Sequence, residues 1–277
     1  MKKSLLFLLS LLFFFTQCEK VVEIEVPTTD PILIIDAAFE VNFNENPVTA
    51  NTIVKLRLSA DYFEEEIPTV SSANVFLTNL TTDEIITFND NDLDGNYLPD
   101  NSFIPEQNIQ YQLTVEYENQ VYTGTAKRIE SPSLTSVEQG ETTLFSGEET
   151  ELEVEFSDNA SEENFYLFDF DNGFFLTIED RFFNGADYNF SYFYGEEDIE
   201  LPTNVTVKIS GISKDYYTSF RVLLDQSGEG GGGPFETIPA TLLGNMVNTT
   251  NESNFPLGYF HIAETDSVSV ALVDLTN

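Results

Sequence analysis

Short runs in which apolar and polar residues alternate one by one constrain this chain more than any other feature of its sequence. Tyr111, Leu113 and Val115 alternate with polar residues, and residues 54–58 repeat the pattern. Alternation with a period of two places every second side chain on one face of a β-strand. Because such runs recur with turns between them, they predict an immunoglobulin-like β-sandwich, which we assign to residues 31–130.

The second half of the chain continues in strands but adds one helix. An alternating run over 152–156 predicts a strand, and residues 165–194 are rich in Phe and Tyr, which favour strands and a packed core. Within 212–226 the apolar residues fall at helical spacing, and Ser213 can cap the helix start. The sequence therefore predicts a mainly β protein in which the sandwich is followed by a β-rich domain, 131–277, with one packed helix.

The first eighteen residues are organised like a bacterial lipoprotein signal. Two lysines precede an apolar run over residues 4–15, which is too short for a membrane-spanning helix of about 20 residues. Cys18, the single cysteine, follows at the position where a lipobox places the acylated residue. We predict a signal peptide over 1–17 and a lipidated tether over 18–30, attached to an outer membrane. The alternative is an ordinary secretory signal with an unrelated cysteine.

The charge balance excludes one class of partner. The formal net charge is -37, from 48 acidic and 11 basic residues. A field of this sign repels phosphate backbones, so nucleic acid is not an expected partner. The charge fits a well-solvated surface, or a partner or ion that is cationic.

One aspartate-rich segment resembles the opening of a calcium loop. Asp90, Asp92 and Asp94 stand at positions 1, 3 and 5, and Gly95 follows. However, Asn101 stands where such a loop closes with glutamate, and Asp and Gly are also common turn residues. The segment is thus a calcium site or a β-turn, and calcium is the only cofactor that the sequence suggests.

The sequence gives little support to catalysis. His261 is the only histidine, lies in a strand-like segment and has no nucleophile motif before it, so we interpret it as structural. A hydrolase that uses two carboxylates remains an alternative, since acids are plentiful. We predict that the protein is not an enzyme.

A separate short motif concerns modification. Ser267, between Asp266 and Val268, fits an Asp-Ser-aliphatic pattern at which some bacterial surface proteins are O-glycosylated. We predict Ser267 as a glycosylation site.

A series of short segments occurs in the order found in one family. They are residues 22–27, 32–36, 94–97, 111–122, 181–185, 209–213, 234–235, 244–245 and 257–260. In this order the chain resembles, over nearly its whole length, the Bacteroidetes outer-membrane lipoproteins of domain-of-unknown-function family 4249. The resemblance implies a setting similar to that of accessory lipoproteins of TonB-dependent transporters, and it implies no catalytic residue.

These observations combine into one expected function. We expect an outer-membrane lipoprotein that faces the cell surface, partners an outer-membrane barrel protein of the TonB-dependent transporter class and helps to bind or take up a ligand. Binding is expected to fall to loops such as 227–234 and to the aromatic segment. The alternative is a surface glycan-binding lipoprotein with exposed aromatic residues near 182–194.

Overall fold

The computed structural model describes residues 30–61, 64, 66–144, 146–160, 162–227 and 242–275. Within these residues the chain forms sixteen strands and one helix, so the predicted mainly β class is confirmed. The helix, α1 (Lys214–Ser227), begins after the predicted start because residue 212 still belongs to a strand. Ser213 caps it as predicted, since its Oγ accepts a 3.2 Å hydrogen bond from the backbone N–H of Tyr216.

The strands follow the alternating runs of the sequence. In chain order they are β1 (Leu33–Asn42), β2 (Thr49–Asn51), β3 (Val54–Leu58), β4 (Asn74–Asn79), β5 (Ile85–Asn89), β6 (Asn96–Pro99), β7 (Gln110–Tyr117), β8 (Gln120–Ile129), β9 (Leu134–Gln139), β10 (Thr150–Ser157), β11 (Phe165–Asp169), β12 (Phe175–Glu179), β13 (Asp187–Tyr194), β14 (Thr203–Ile212), β15 (Val247–Asn248) and β16 (Phe260–Leu272).

Eight strands of the first part form a closed ring of hydrogen-bonded pairs. The order is β1, β3, β6, β5, β4, β7 and β8, and β16 pairs with both β8 and β1 to close it. The two pairings of β16 are parallel and join Ala37 to Phe260 and Arg128 to Ile262. Each ring strand turns apolar residues toward one buried cluster, which includes Phe39, Leu77 and further aliphatic and aromatic side chains.

The second part is a two-layer packing. One layer is the antiparallel arm β12–β11–β14–β16, and the other is a separate sheet in the order β13–β10–β9. Residues such as Phe156, Phe168 and Val207 fill the space between the layers and form a second buried cluster. On the opposite face of the arm, α1 packs through Tyr216 against Phe165, as expected for an amphipathic helix on a sheet.

Strand β16 belongs to both parts. Its first residues, Phe260 and Ile262, pack into the cluster of the ring together with Met246, whereas Leu272 near its end packs into the second cluster. The division at 130/131 stays a prediction, but residues beyond 131 supply part of the first core.

Two carboxylates of β16 fix the connection between the parts. Glu264 forms an ion pair with Arg128 at 2.7 Å and accepts a 3.2 Å hydrogen bond from the backbone N–H of Ser131. Asp266 accepts a 2.8 Å bond from the backbone N–H of Leu134. Because charge-assisted bonds are stronger than neutral ones, they hold the connection 131–134 firmly against β16.

The described part of the chain contains no helix that is both long enough and apolar enough to cross a membrane.

Candidate functional site

The predicted lipidation site cannot be placed on the fold. Cys18, the signal peptide 1–17 and the tether up to residue 29 lie outside the described residues, as do residues 228–234 of the predicted binding loop 227–234. Asp30 is the first described residue, and Pro31 connects it to β1. Strand β1 lies between β16 and β3 in the order of the sheet, and it pairs with β3 in antiparallel fashion.

The aspartate-rich segment folds as a turn between β5 and β6. The carboxylate of Asp90 accepts hydrogen bonds from the backbone N–H groups of Gly95 at 2.8 Å and Asp94 at 3.2 Å. Burial raises the pKa of Asp90, but hydrogen bonds from Ser71 and the turn backbone outweigh this effect and lower the pKa overall. The Asp90 carboxylate therefore holds the backbone of this connection in place.

Metal ligands do not converge in this turn. Asp92 is exposed, and Asp94 uses its carboxylate to accept bonds from the backbone and side-chain N–H groups of Asn96. In the part of the chain that the structure describes, no three His, Cys, Asp or Glu side chains form a group that could hold a metal ion. Calcium binding by Asp90, Asp92 and Asp94 stays a sequence-based prediction.

The predicted glycosylation residue lies in the middle of β16. Ser267 is exposed and is paired in register with Lys208 of β14. Its neighbour Asp266 is buried, and the Asp266 carboxylate accepts a hydrogen bond from the backbone N–H of Leu134. The Ser267 hydroxyl is thus open to modification on a rigid strand, and its glycosylation stays a prediction.

The buried carboxylates are the candidates for acid–base catalysis, but each of them accepts a hydrogen bond from a backbone N–H group. Glu151 accepts a 2.6 Å bond from the Ser191 hydroxyl and a 2.8 Å bond from the backbone N–H of Thr142, and these partners lower its pKa. Asp180 is 1 % exposed and accepts a 2.9 Å bond from the backbone N–H of Asn164, while burial raises its pKa. Glu151 fastens the loop at Thr142 to β10, and Asp180 joins the segment before β11 to the segment after β12.

His261 is buried in β16 beneath the helix. Its ring stacks on Tyr216 with centroids 3.9 Å apart, and neither ring nitrogen has a hydrogen-bond partner among the described residues. Burial lowers the pKa of His261 to about 3, so the ring is neutral in the folded protein. It packs as a core residue, as the sequence suggested.

The aromatic segment 165–194 mostly packs inward. Phe168, Phe170 and Tyr194 are fully buried, and Phe170 stacks on Tyr192 at 3.8 Å. The exception is Phe182, which is 90 % exposed, more than any other large apolar side chain among the described residues. Phe182 lies in the connection from β12 to β13, residues 180–186, which we call the Phe182 loop.

The backbone of the Phe182 loop is held by a series of hydrogen bonds. The N–H of Phe183 donates to the carbonyl of Asp180, the N–H of Ala186 donates to the carbonyl of Phe183, and both distances are 2.8 Å. Outside the loop, the carboxylate of Asp158 accepts a 2.7 Å bond from the N–H of Gly185 and a further bond from the Tyr166 hydroxyl.

Packing anchors the loop at two further points. Phe183 is buried, stacks on Tyr188 at 3.9 Å and meets the edge of Phe156 at 5.8 Å. Gly185 has a φ of 74°, and a Cβ there would lie 2.5 Å from the Cβ of Ala160, so only glycine fits without strain. The loop therefore presents Phe182 on a fixed support.

Arg181 completes the exposed surface. Its guanidinium lies 5.6 Å from the centroid of the Phe182 ring, which is a cation–π arrangement. None of the ion pairs among the described residues involves Arg181, although acids outnumber bases about fourfold in the chain. An apolar ring and an unneutralised cation thus lie together at the surface.

Sequence reasoning identified the segment of this surface but not its residue. Two consecutive phenylalanines in a loop carry no periodic signal that tells which one is buried. The nearest signal was Gly185, since a glycine in a short connection indicates a turn, although it does not tell which phenylalanine is buried.

Comparison with protein families places this chain in a family. The model of the family described as "Domain of unknown function (DUF4249)" matches residues 19–269, a range that begins directly after Cys18 and ends within β16. No curated protein matches the chain.

Proposed function

The chain belongs to the DUF4249 family of domains of unknown function, and from this premise we propose that it is a non-enzymatic accessory lipoprotein that binds a protein partner through the Phe182 loop. The observation that supports the proposal most is the 90 % exposure of Phe182 on a loop that several backbone and side-chain contacts hold in place.

Exposure alone would not single out Phe182, because isolated apolar side chains are common on protein surfaces. Ile67 and Leu93, for example, are 62 % and 70 % exposed. What distinguishes Phe182 is its combination with Arg181 and with a loop that loses little conformational entropy on binding. Aromatic residues and arginine are enriched at the centres of protein interfaces, and a pre-organised loop lowers the entropic cost of association.

The same features define the partner's surface. It should offer an apolar pocket that is wide enough for a phenyl ring, with a carboxylate at its rim for Arg181. An overall acidic partner would be repelled by the net charge of -37, so the acidic group should be local. We propose that this surface belongs to an outer-membrane transporter of the TonB-dependent class, and that lipid on Cys18 keeps the two proteins in one membrane.

Site-specific crosslinking tests the proposal. A photoreactive phenylalanine analogue would replace Phe182 in the full-length protein, in its native outer membrane, and the matched control would carry the analogue at Ile67. We expect one transporter to crosslink from position 182 and not from position 67. Arg181→Glu should abolish that crosslink, since it reverses the charge that faces the partner.

Two outcomes would contradict the proposal. Equal crosslinking from both positions would mean that the loop has no special role, and crosslinks to polysaccharide alone would favour the glycan-binding alternative. A Cys18→Ala variant separates the anchor from the interface: it should lose membrane attachment, while the purified full-length variant should still bind the purified transporter in detergent.

A further inference from the structure

A second site lies at the other part of the molecule, where the turn between β7 and β8 meets the start of β1. A cavity of about 410 Å³ opens between these segments and the connection from β15 to β16. Its walls include Asp30, Tyr117, Glu118, Gln120, Tyr122 and Asn254. A volume of this size is within the range of cavities that bind small ligands.

The cavity is held open by hydrogen bonds rather than left between mobile loops. Buried Asn248 donates to the side-chain carbonyl of Gln120 at 3.1 Å and to the backbone carbonyl of Asn254 at 2.8 Å. The side-chain carbonyl oxygen of Asn248 accepts hydrogen bonds from the backbone N–H groups of Thr250 and Asn251, both at 2.9 Å. The connection from β15 to β16, which forms part of the wall, is therefore held against β8 before any ligand binds.

Two tyrosines give the cavity its aromatic surface. Tyr122 is 3 % exposed, and its hydroxyl accepts only a long, 3.4 Å bond from Asn254 among the described residues. Tyr117 is half-buried, and its hydroxyl is hydrogen-bonded to the Glu118 carboxylate. Burial, followed by the charge of Glu118, raises the pKa values of both phenols, so both stay neutral at physiological pH.

The charges at the cavity have a single sign. Asp30 and Glu118 are exposed carboxylates of the wall, and none of the described residues that line it is a lysine, arginine or histidine. Gln120 and Asn254 add amide groups, which can accept as well as donate hydrogen bonds. An anionic ligand would therefore find no counter-charge, whereas a cation would find two carboxylates and two aromatic rings.

From this juxtaposition we propose that the cavity binds a small, soluble organic ammonium compound, with the ammonium group between the half-buried ring of Tyr117 and the carboxylates of Asp30 and Glu118. Aromatic rings attract alkylammonium groups through their quadrupole, and the attraction increases when the site is partly desolvated. The site is independent of the Phe182 loop, so either proposal can fail while the other holds.

Calorimetric titration of the full-length protein in a non-ionic detergent with choline tests the site. Its matched ligand is 3,3-dimethyl-1-butanol, which has the same shape but carbon in place of the charged nitrogen. At about 0.15 M salt, which screens exposed charges, we expect saturable binding of choline. The neutral alcohol should bind at least about tenfold more weakly, because it loses the charge-dependent attraction.

Variants assign the binding to the cavity. Tyr117→Leu and Glu118→Gln should each weaken choline binding about five- to thirtyfold. Glu118 is exposed, so its variant should fold even if the packing around Tyr117 does not tolerate leucine. Glu138→Gln removes a similarly exposed carboxylate on β9, in the other part of the molecule, and should leave binding unchanged.

Three results would overturn the inference. Equal binding of the neutral alcohol would show that charge has no role, and an equal loss in the Glu138→Gln variant would indicate diffuse attraction to the acidic surface. Binding of a neutral saccharide such as methyl glucoside, with no binding of choline, would assign the cavity to a different ligand class.

Discussion

Two neighbouring side chains, Phe182 and Phe183, have opposite environments although they are chemically identical. Phe183 is 9 % exposed and contacts the rings of Tyr188 and Phe156, whereas Phe182 is 90 % exposed and lies beside the Arg181 guanidinium. The loop hydrogen bonds impose this difference, because they fix the direction in which each Cα–Cβ bond points. A substitution of Phe183 should therefore affect stability, whereas a substitution of Phe182 should affect binding.

We expect Phe183→Ala to lower the free energy of unfolding by about 3–4 kcal/mol, since it leaves a cavity in the second core. Phe182→Ala should change it by less than about 0.5 kcal/mol, as exposed substitutions usually do. Urea unfolding followed by tyrosine fluorescence would measure both values, because the chain contains 12 Tyr and no Trp. A loss above about 1.5 kcal/mol in Phe182→Ala would mean that this ring packs against the protein.

Substitutions in the turn that contains Asp90 can likewise distinguish a structural role of the turn from ion binding. Asp90→Ala removes the acceptor of two backbone N–H groups and should cost about 1–2 kcal/mol of stability. Asp92→Ala should cost nothing measurable, since Asp92 is exposed. If the segment is only a turn, millimolar calcium will leave the thermal midpoints of the wild type and both variants unchanged. A calcium-dependent rise that both substitutions abolish would establish the calcium site instead.

At the scale of elements, the contact between α1 and β16 depends on a neutral histidine. The His261 ring stacks on Tyr216 of α1, and the acidic side chains nearest to this contact include Asp36 and Glu40 of β1. The pKa of His261 is about 3 in the folded protein and about 6.5 in the unfolded chain. Between these values the unfolded chain binds one proton more, so stability must fall as the pH falls.

We expect the free energy of unfolding to decrease by about 1–2 kcal/mol between pH 6.5 and pH 5 because of this one group. Carboxylates contribute less in this window, since their ordinary pKa values lie below it. His261→Phe keeps the stacked ring but cannot be protonated, so its stability should be nearly constant over the same range. Urea unfolding at both pH values measures the difference, and an equal pH dependence in the variant would show that other groups cause it.

The elements themselves could be predicted from the sequence, but their partners could not. The strand through Tyr111, Leu113 and Val115 and the helix near 212–226 both follow from local patterns, and both are present. The closure of the ring by β16 was not predicted, because alternation shows that a strand has an apolar face and not which strand lies beside it. The candidate site was missed at residue level for the same reason, since loops lack a period.

For the whole molecule, β16 makes the two parts dependent on one another. It supplies Phe260 and Ile262 to the first core and Leu272 to the second, and its Glu264 and Asp266 hold the connection between them. Removing it would open the ring between β1 and β8 and expose the edges of both strands. Unfolding should accordingly be one cooperative transition rather than two.

A fragment of residues 30–130 tests this dependence and also the predicted division at 130/131. The fragment lacks three buried side chains of its core, Met246 and the β16 residues Phe260 and Ile262, so we expect it to be unfolded or molten, with poorly dispersed amide resonances in NMR spectra. Adding a peptide of residues 242–275 should restore dispersion, whereas a peptide of the same composition in scrambled order should not. A fragment that folds alone, with sharp and dispersed resonances, would show that the first part is an autonomous domain and that β16 only joins it to the second.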